Sequence, residues 1–289
     1  MPIYDQGYEV YAGERKSLNI RWLPLWREEI LPYLKRRVFI FLLIIAVAPW
    51  FYGIFLTFAH TQFGDSEGVR EFVKQLPKVD EELVSQLMLL PWNLFLLMVV
   101  SIWVGSGLVA RDRKERTLEV YLSRAIGPVQ YLWAKGAALM AFYMVFTLLP
   151  VLVLVVFHVG LSGDVGFLWT HSRVLWGTVL YSLLGPGILA VFLLALSSLS
   201  RSPRVVGIAL VGLMFFGAGG ADMLHLITKS HFATLLNFML QLRLLGQHCL
   251  GVAPDRGVPL GYTAFFFSAV LLASLGILTL RFSKKGVLR

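Results

Sequence analysis

The residues best able to do chemistry in this chain sit at the edges of its apolar runs. Asp222 and His225, three apart, fall at the end of one run. An ionisable group at membrane depth is expensive and often functional, so the two either pair, face a cavity or reach a solvated interface, and the solvated place is the plainer expectation. His158 and Asn93, also at or inside apolar runs, read as packing or interfacial groups. Catalysis on a lipid would need an acid, a base and a nucleophile or metal ligand converging from facing helices. His60, His158, His171, His225 and His231 show no spacing that brings them together. Met88, Met98, Met140, Met144, Met214, Met223 and Met239, with His248 and Cys249, offer soft ligands of the kind that suit Cu(I). Without a Cys-x-x-Cys or a methionine cluster they are better read as core side chains. No catalytic residue and no metal ligand is assigned, and the single cysteine excludes an intramolecular disulfide.

The elements that would have to position these residues are set by composition. Of 289 residues, 57% are hydrophobic and only 15% charged, a balance far from that of a water-soluble domain. A hydrocarbon slab of about 30 Å takes roughly 20 apolar residues per helical crossing, so the chain can cross several times with short loops. The net charge of +9 would suit nucleic acid only if the basic residues shared a soluble face. They flank the apolar runs instead, as the positive-inside rule demands, and nucleic acid is not expected as a partner. The first 36 residues are polar and basic with no apolar h-region, so the first span is expected to direct insertion.

Six apolar runs follow: 38–59, 87–110, 136–161, 174–199, 205–225 and 262–282. Lys35, Arg36 and Arg37 precede the first, and acidic residues including Asp80, Glu81 and Glu82 follow it, which places the N-terminus in the cytoplasm. Arg111 to Arg116, the turn Arg201 to Arg204, and Lys284, Lys285 and Arg289 then mark the cytoplasmic ends of later runs, the C-terminus included. Pro91, Pro150 and Pro186 lie inside runs and predict kinks, since neighbouring helices can satisfy the carbonyls they free. Ser101 with Gly105, Ala137 with Ala141 and Gly217 with Ala221 allow close backbone approach, either within the chain or at a dimer seam.

Two segments outside the runs carry helical periodicity. In 20–35, Trp22, Leu23, Trp26, Ile30 and Leu34 share one side, while Arg21, Arg27, Glu28 and Glu29 fall largely on the other, the pattern of an interfacial amphipathic helix that Pro32 should end. Between 226 and 260 the chain is too polar for a span, yet Phe232, Leu235, Leu236, Met239 and Leu242 recur at three- and four-residue steps. A short re-entrant or interfacial helical hairpin on the outer side suits it. The chain thus divides into 1–37, a cytoplasmic segment with the amphipathic helix, and 38–289, an all-α integral membrane domain of six transmembrane helices.

The segment 111–135 is the most informative. Leu118, Tyr121 and Leu122 form a short apolar face beside Glu115, Glu119 and Arg124, and Gly127-Pro128 forces a turn. A short helix with charged and apolar anchors, projecting between two spans, is suited to docking in a groove of another protein. Here the chain resembles the ABC-2 family of exporter permeases, whose first cytoplasmic loop has a pattern like Glu-x-Gly-Thr-Leu-Glu-x-Leu-Leu-Ser-x-Pro, followed by a Lys that opens the third span. Glu115, Thr117, Leu118, Glu119, Leu122, Ser123 and Lys135 match; Arg116 stands where the family has Gly, and Ala125 where Pro is usual.

That resemblance implies a type V exporter half in the cell (inner) membrane. Two copies of the subunit are clasped by two cytoplasmic ATP-binding subunits, which carry the ATP and Mg²⁺. Glu115, Thr117, Leu118, Glu119, Tyr121 and Leu122 would form the coupling helix that docks on the ATPase, with Trp22, Trp26, Arg27 and Ile30 on a connecting helix at the lipid surface. No Gly-x-x-x-x-Gly-Lys-Ser/Thr loop is present to cradle phosphates, so the chain is not expected to hydrolyse ATP itself. Two other classes stay open at this stage, a non-transporting subunit that anchors or regulates an ATPase and an intramembrane lipid-modifying enzyme.

Overall fold

In the computed structural model, residues 22–64, 68–117 and 126–282 are described, and among them every regular element is helical. With its apolar helices this is an all-α, multi-pass membrane protein. Five stretches are long and apolar enough to cross a membrane: Pro91–Lys114, Pro128–Ser162, Ser172–Leu199, Pro203–Thr228 and Leu260–Phe282.

Helix α1 (Trp22–Leu34) precedes a broken pair, α2 (Arg37–Val47) and α3 (Trp50–Phe63), bent by 42°. The single run expected over 38–59 therefore turns at Ala48-Pro49, where proline lacks an N–H and its ring crowds the preceding turn. Two short helices, α4 (Arg70–Gln75) and α5 (Glu81–Met88), lead to α6 (Pro91–Trp103). Pro91 does not kink a span as expected: it occupies the first turn of α6, where its missing N–H has no helical partner to lose. A 3-10 turn at Gly105–Gly107 joins α6 to α7 (Ala110–Lys114). Gly105 is required there, because a Cβ on it would collide with Leu193 across the interface.

The core is built on two long helices, α8 (Pro128–Ser162) and α10 (Ser172–Leu199), linked by the one-turn α9 (Phe167–Thr170). Pro150 and Pro186 lie inside them without ending either one. Then come α11 (Pro203–Thr228), a 3-10 segment at His231–Leu236, α12 (Phe238–Leu250), a 3-10 turn at Asp255–Gly257 and α13 (Leu260–Phe282). Helix α10 packs on α8, α12 and α13, and α8 also carries α1 and α3. Segment 226–260 is largely helical and buries Leu242, Leu244 and Leu250 completely, but Phe232 and Leu236 of the expected apolar face are exposed, because 231–236 is a 3-10 segment with a different periodicity from an α-helix.

Helix α1 departs from expectation in two ways. It runs through Pro32 to Leu34, and its covered side is set by Leu25, Ile30 and Tyr33, while Leu23 and Leu34 are exposed. Tyr33 meets Trp103 of α6 and Phe142 of α8 edge-on at 5.2 and 5.8 Å. Such edge-to-face contacts contribute beyond simple burial. The helix is thereby fixed to the bundle as well as suited to a lipid surface.

Candidate functional site

Lys135 lies two turns into α8, a helix of 35 residues. At 1.5 Å per residue that helix is about 52 Å long, well beyond a hydrocarbon layer of about 30 Å. The Lys135 side chain is 3% exposed. Its ammonium is 2.6 Å from Glu29 Oε2 on α1 and 2.9 Å from Asp112 Oδ2 on α7. Tyr131, one turn earlier on α8, donates its hydroxyl to the same Asp112 oxygen at 2.7 Å, and its ring lies 5.7 Å from the ammonium. One cation thus holds two carboxylates from two other elements. A buried charge left without such partners would be strongly unfavourable, so the cluster requires all three elements to stay together.

The rest of α7 is fastened with equal care. Ser197 Oγ, on α10, accepts from the backbone N–H groups of Val109 and Ala110 at 3.1 and 3.0 Å and donates to the Ser106 carbonyl at 3.1 Å. Arg113 donates to the Ser198 carbonyl. Just past α7, Arg116 has a left-handed φ of 57°. Glycine adopts that region freely and L side chains do so at a cost.

Compared with models of known families and with curated proteins, the chain matches none.

Of the residues singled out in the sequence, Glu115 is exposed at the end of α7, and Thr117 Oγ1 reaches the Asp112 carbonyl at 3.3 Å. Leu118, Glu119, Tyr121 and Leu122 lie outside the described residues. On α1, Trp22 and Trp26 are half-buried against the core, Ile30 is buried and Arg27 is exposed. Two members of the ion cluster, Glu29 and Asp112, read in sequence only as flanking charges. The available signal was that Glu29 falls four residues after Leu25, on the edge of the covered face.

At the far end of the bundle the polar residues are arranged differently. Asp222 does not pair with His225. It accepts from Arg256 at 2.9 Å, while His225 Nδ1 lies 3.2 Å from the Ser230 carbonyl. Arg243 Nε contacts Asp255 Oδ2 at 2.7 Å, and Gln247 bonds the side chain and backbone N–H of Asp255 at 3.0 and 2.9 Å. Three histidines that looked dispersed occupy one region. The ring of Phe167 lies 4.2 Å from that of His158 and 4.8 Å from that of His171, and His171 Nδ1 is 3.1 Å from Glu81 Oε2. His158 Nδ1 is 3.1 Å from Thr57 Oγ1, and His60 Nε2 is 3.1 Å from the Pro77 carbonyl. Among the described residues no three such groups are placed to hold a metal ion.

Proposed function

We propose that the chain is the membrane-spanning permease subunit of an ATP-driven ABC exporter, working as a homodimer with separate cytoplasmic ATP-binding subunits. The observation that carries this reading is the Lys135 cluster. It ties α1, the counterpart of the connecting helix, to Asp112, three residues before the segment that resembles a coupling helix. A push on residues 115–125 would reach Asp112 first. Through Lys135 it would move α8 and α1 together, because neither carboxylate can leave the buried ammonium cheaply. The chain contributes no covalent chemistry in this scheme; its part is to convert closure of the ATPase into helix displacement.

The topology in this proposal is six spans, with α2 and α3 making one bent crossing and both termini cytoplasmic. Arg111, Arg113, Lys114, Arg201 and Arg204 gather at the end of the bundle that holds the Lys135 cluster, and Asp80, Glu81 and Glu82 precede α6 at the opposite end. This asymmetry suits a cytoplasmic cluster end. The stretch from His231 to Leu250 then becomes a re-entrant helical segment on the outer side, with His231–Leu236 packed on α11 and Phe238–Leu250 on α10. The apolar windows of α11 and α13 are only 28% and 22% buried, which leaves them for lipid or a second copy.

The test is co-expression with the ATPase. An ATP-binding subunit should co-purify in equal amounts, and proteoliposomes should move an amphipathic cargo only with ATP. Replacing Leu118 and Glu119 together should abolish cargo-stimulated ATPase activity; unchanged activity and assembly would sink the coupling role. Assembly and ATPase activity without any transport would instead mark an anchoring subunit.

A further inference from the structure

A cleft of about 430 Å³ opens between α6, α11 and α12, away from the Lys135 cluster. Its walls are graded. Met98 and Met214, both buried, line one end, whereas the exposed Asp222 and the half-exposed Arg243 line the other, near the far end of the bundle. Seven residues separate Pro91 from Met98 and eight separate Asp222 from Met214, so at 1.5 Å per residue the graded length is about 10–12 Å. The volume is at the small end of the roughly 300–1,000 Å³ that takes a drug-sized molecule. Methionine is flexible and polarisable, which suits a wall that must fit a chain of variable shape. Phe95 and Phe215, also on the wall, are 41% and 61% exposed, so the cleft is open sideways to the surroundings of the helices.

The two charges at its far end are set in place from outside. Arg256 donates to Asp222 Oδ1, and Asp255 Oδ2 pairs with Arg243 at 2.7 Å from Nε as an ion-pair contact without hydrogen-bond geometry. Neither Arg256 nor Asp255 lines the cleft, and both belong to the same 3-10 turn. One carboxylate oxygen and the terminal guanidinium nitrogens are left for a ligand. Guanidinium matches phosphate or carboxylate oxygens, and a carboxylate matches an ammonium. Because the pair carries opposite signs, a head group of one sign would gain from one residue and be repelled by the other.

We infer that this cleft binds a single-chain amphiphile with a zwitterionic head, its anionic group on Arg243, its ammonium on Asp222 and its chain against Met98 and Met214. Placing the head at the outer leaflet rests on the exporter reading; the binding itself does not.

The experiment titrates the purified chain, without an ATPase, held in amphipol. Its probes are lauroyl-lysophosphatidylcholine, the anionic lauroyl-lysophosphatidylglycerol, the cationic dodecyltrimethylammonium and the two-chain dilauroylphosphatidylcholine. The zwitterionic single-chain probe should saturate at one per chain and bind about tenfold tighter than the others, the step expected from about 1.4 kcal/mol of extra interaction. Met98→Trp, which fills the methionine end, should weaken it by about tenfold, since it removes the room for the chain. Arg243→Gln combined with Asp255→Asn removes one charge pair without orphaning a partner, and should erase the preference over the cationic probe. Equal affinity for all head groups, or an unchanged affinity in Met98→Trp with an unaltered melting temperature, would overturn the inference. So would cross-linking of two copies through Phe95→Cys in a Cys249→Ser background, which would put a second copy in the cleft. Probe binding without ATPase co-purification would leave the site standing and remove the exporter; the reverse pattern would do the opposite.

Discussion

Lys135 is 3% exposed and serves two carboxylates, whereas Asp222 and Arg256, at the other end of the bundle, meet with 52% and 38% of their side chains uncovered by the chain. The same chemistry is used for opposite ends. In the first case desolvation makes separation of the charges costly, so three elements behave as one body. In the second, water or headgroups can replace either partner, so the contact orients side chains without locking helices. In the exporter role proposed above, this division would give a stiff end to receive force and an adaptable end for cargo.

The comparison breaks most visibly at Lys135. Lys135→Met leaves a mostly covered Asp112 beside a partly exposed Glu29, mutually repulsive, and should destabilise the protein by about 3 kcal/mol, the lower end of the loss for one partner of a buried pair. Thermal unfolding in detergent should show a single lower transition, with α1 becoming accessible to protease. Glu29→Gln should cost less, since Asp112 still neutralises the ammonium. A Lys135→Met protein that melts like the parent would mean the cluster is already solvated, and the stiff end would lose its basis. Next in size is Gly105→Val. Its side chain would push Leu193 away from the turn that joins α6 to α7, and overpacking of this kind costs about 1–3 kcal/mol. The same unfolding measurement checks it.

Most of the fold was legible because spans announce themselves by length and apolarity, and the five clear crossings lie where hydropathy places them. What escaped was set by contacts between distant residues. Glu29 and Lys135 are 106 positions apart, and no periodicity within α1 reveals that its polar edge meets a lysine of α8. His158 and His171 come together because α9 turns the chain back between α8 and α10, a matter of loop geometry that residue spacing does not encode. The bend at Pro49 also escaped: Pro150 and Pro186 sit inside continuous helices, so a proline within an apolar run does not by itself say whether the helix will break there. Arg116 is a further case, since its left-handed backbone is one that an arginine in the sequence does not announce.

That backbone makes a smaller prediction of opposite sign. Arg116→Gly should raise stability by about 0.5–1 kcal/mol, by removing the penalty of a left-handed L residue at an exposed turn. A higher melting temperature with unchanged assembly would support a turn that is already formed in the native state. A fall would mean that the Arg116 side chain makes a contact of greater value than the strain.

The smallest effect should come from the open end, and it is the sharpest control on the whole contrast. Asp222→Asn removes the carboxylate that Arg256 contacts at 2.9 Å, yet Arg256 keeps access to its surroundings. Exposed pairs of this kind are worth about 0–1 kcal/mol, so the melting temperature should hardly move. Raising the salt concentration should erase whatever difference remains, because exposed charges are screened and buried ones much less so. If Asp222→Asn instead unfolded the protein as severely as Lys135→Met, the far end would be as rigid as the cluster, and its two ion pairs would be structural locks in place of a preset binding surface.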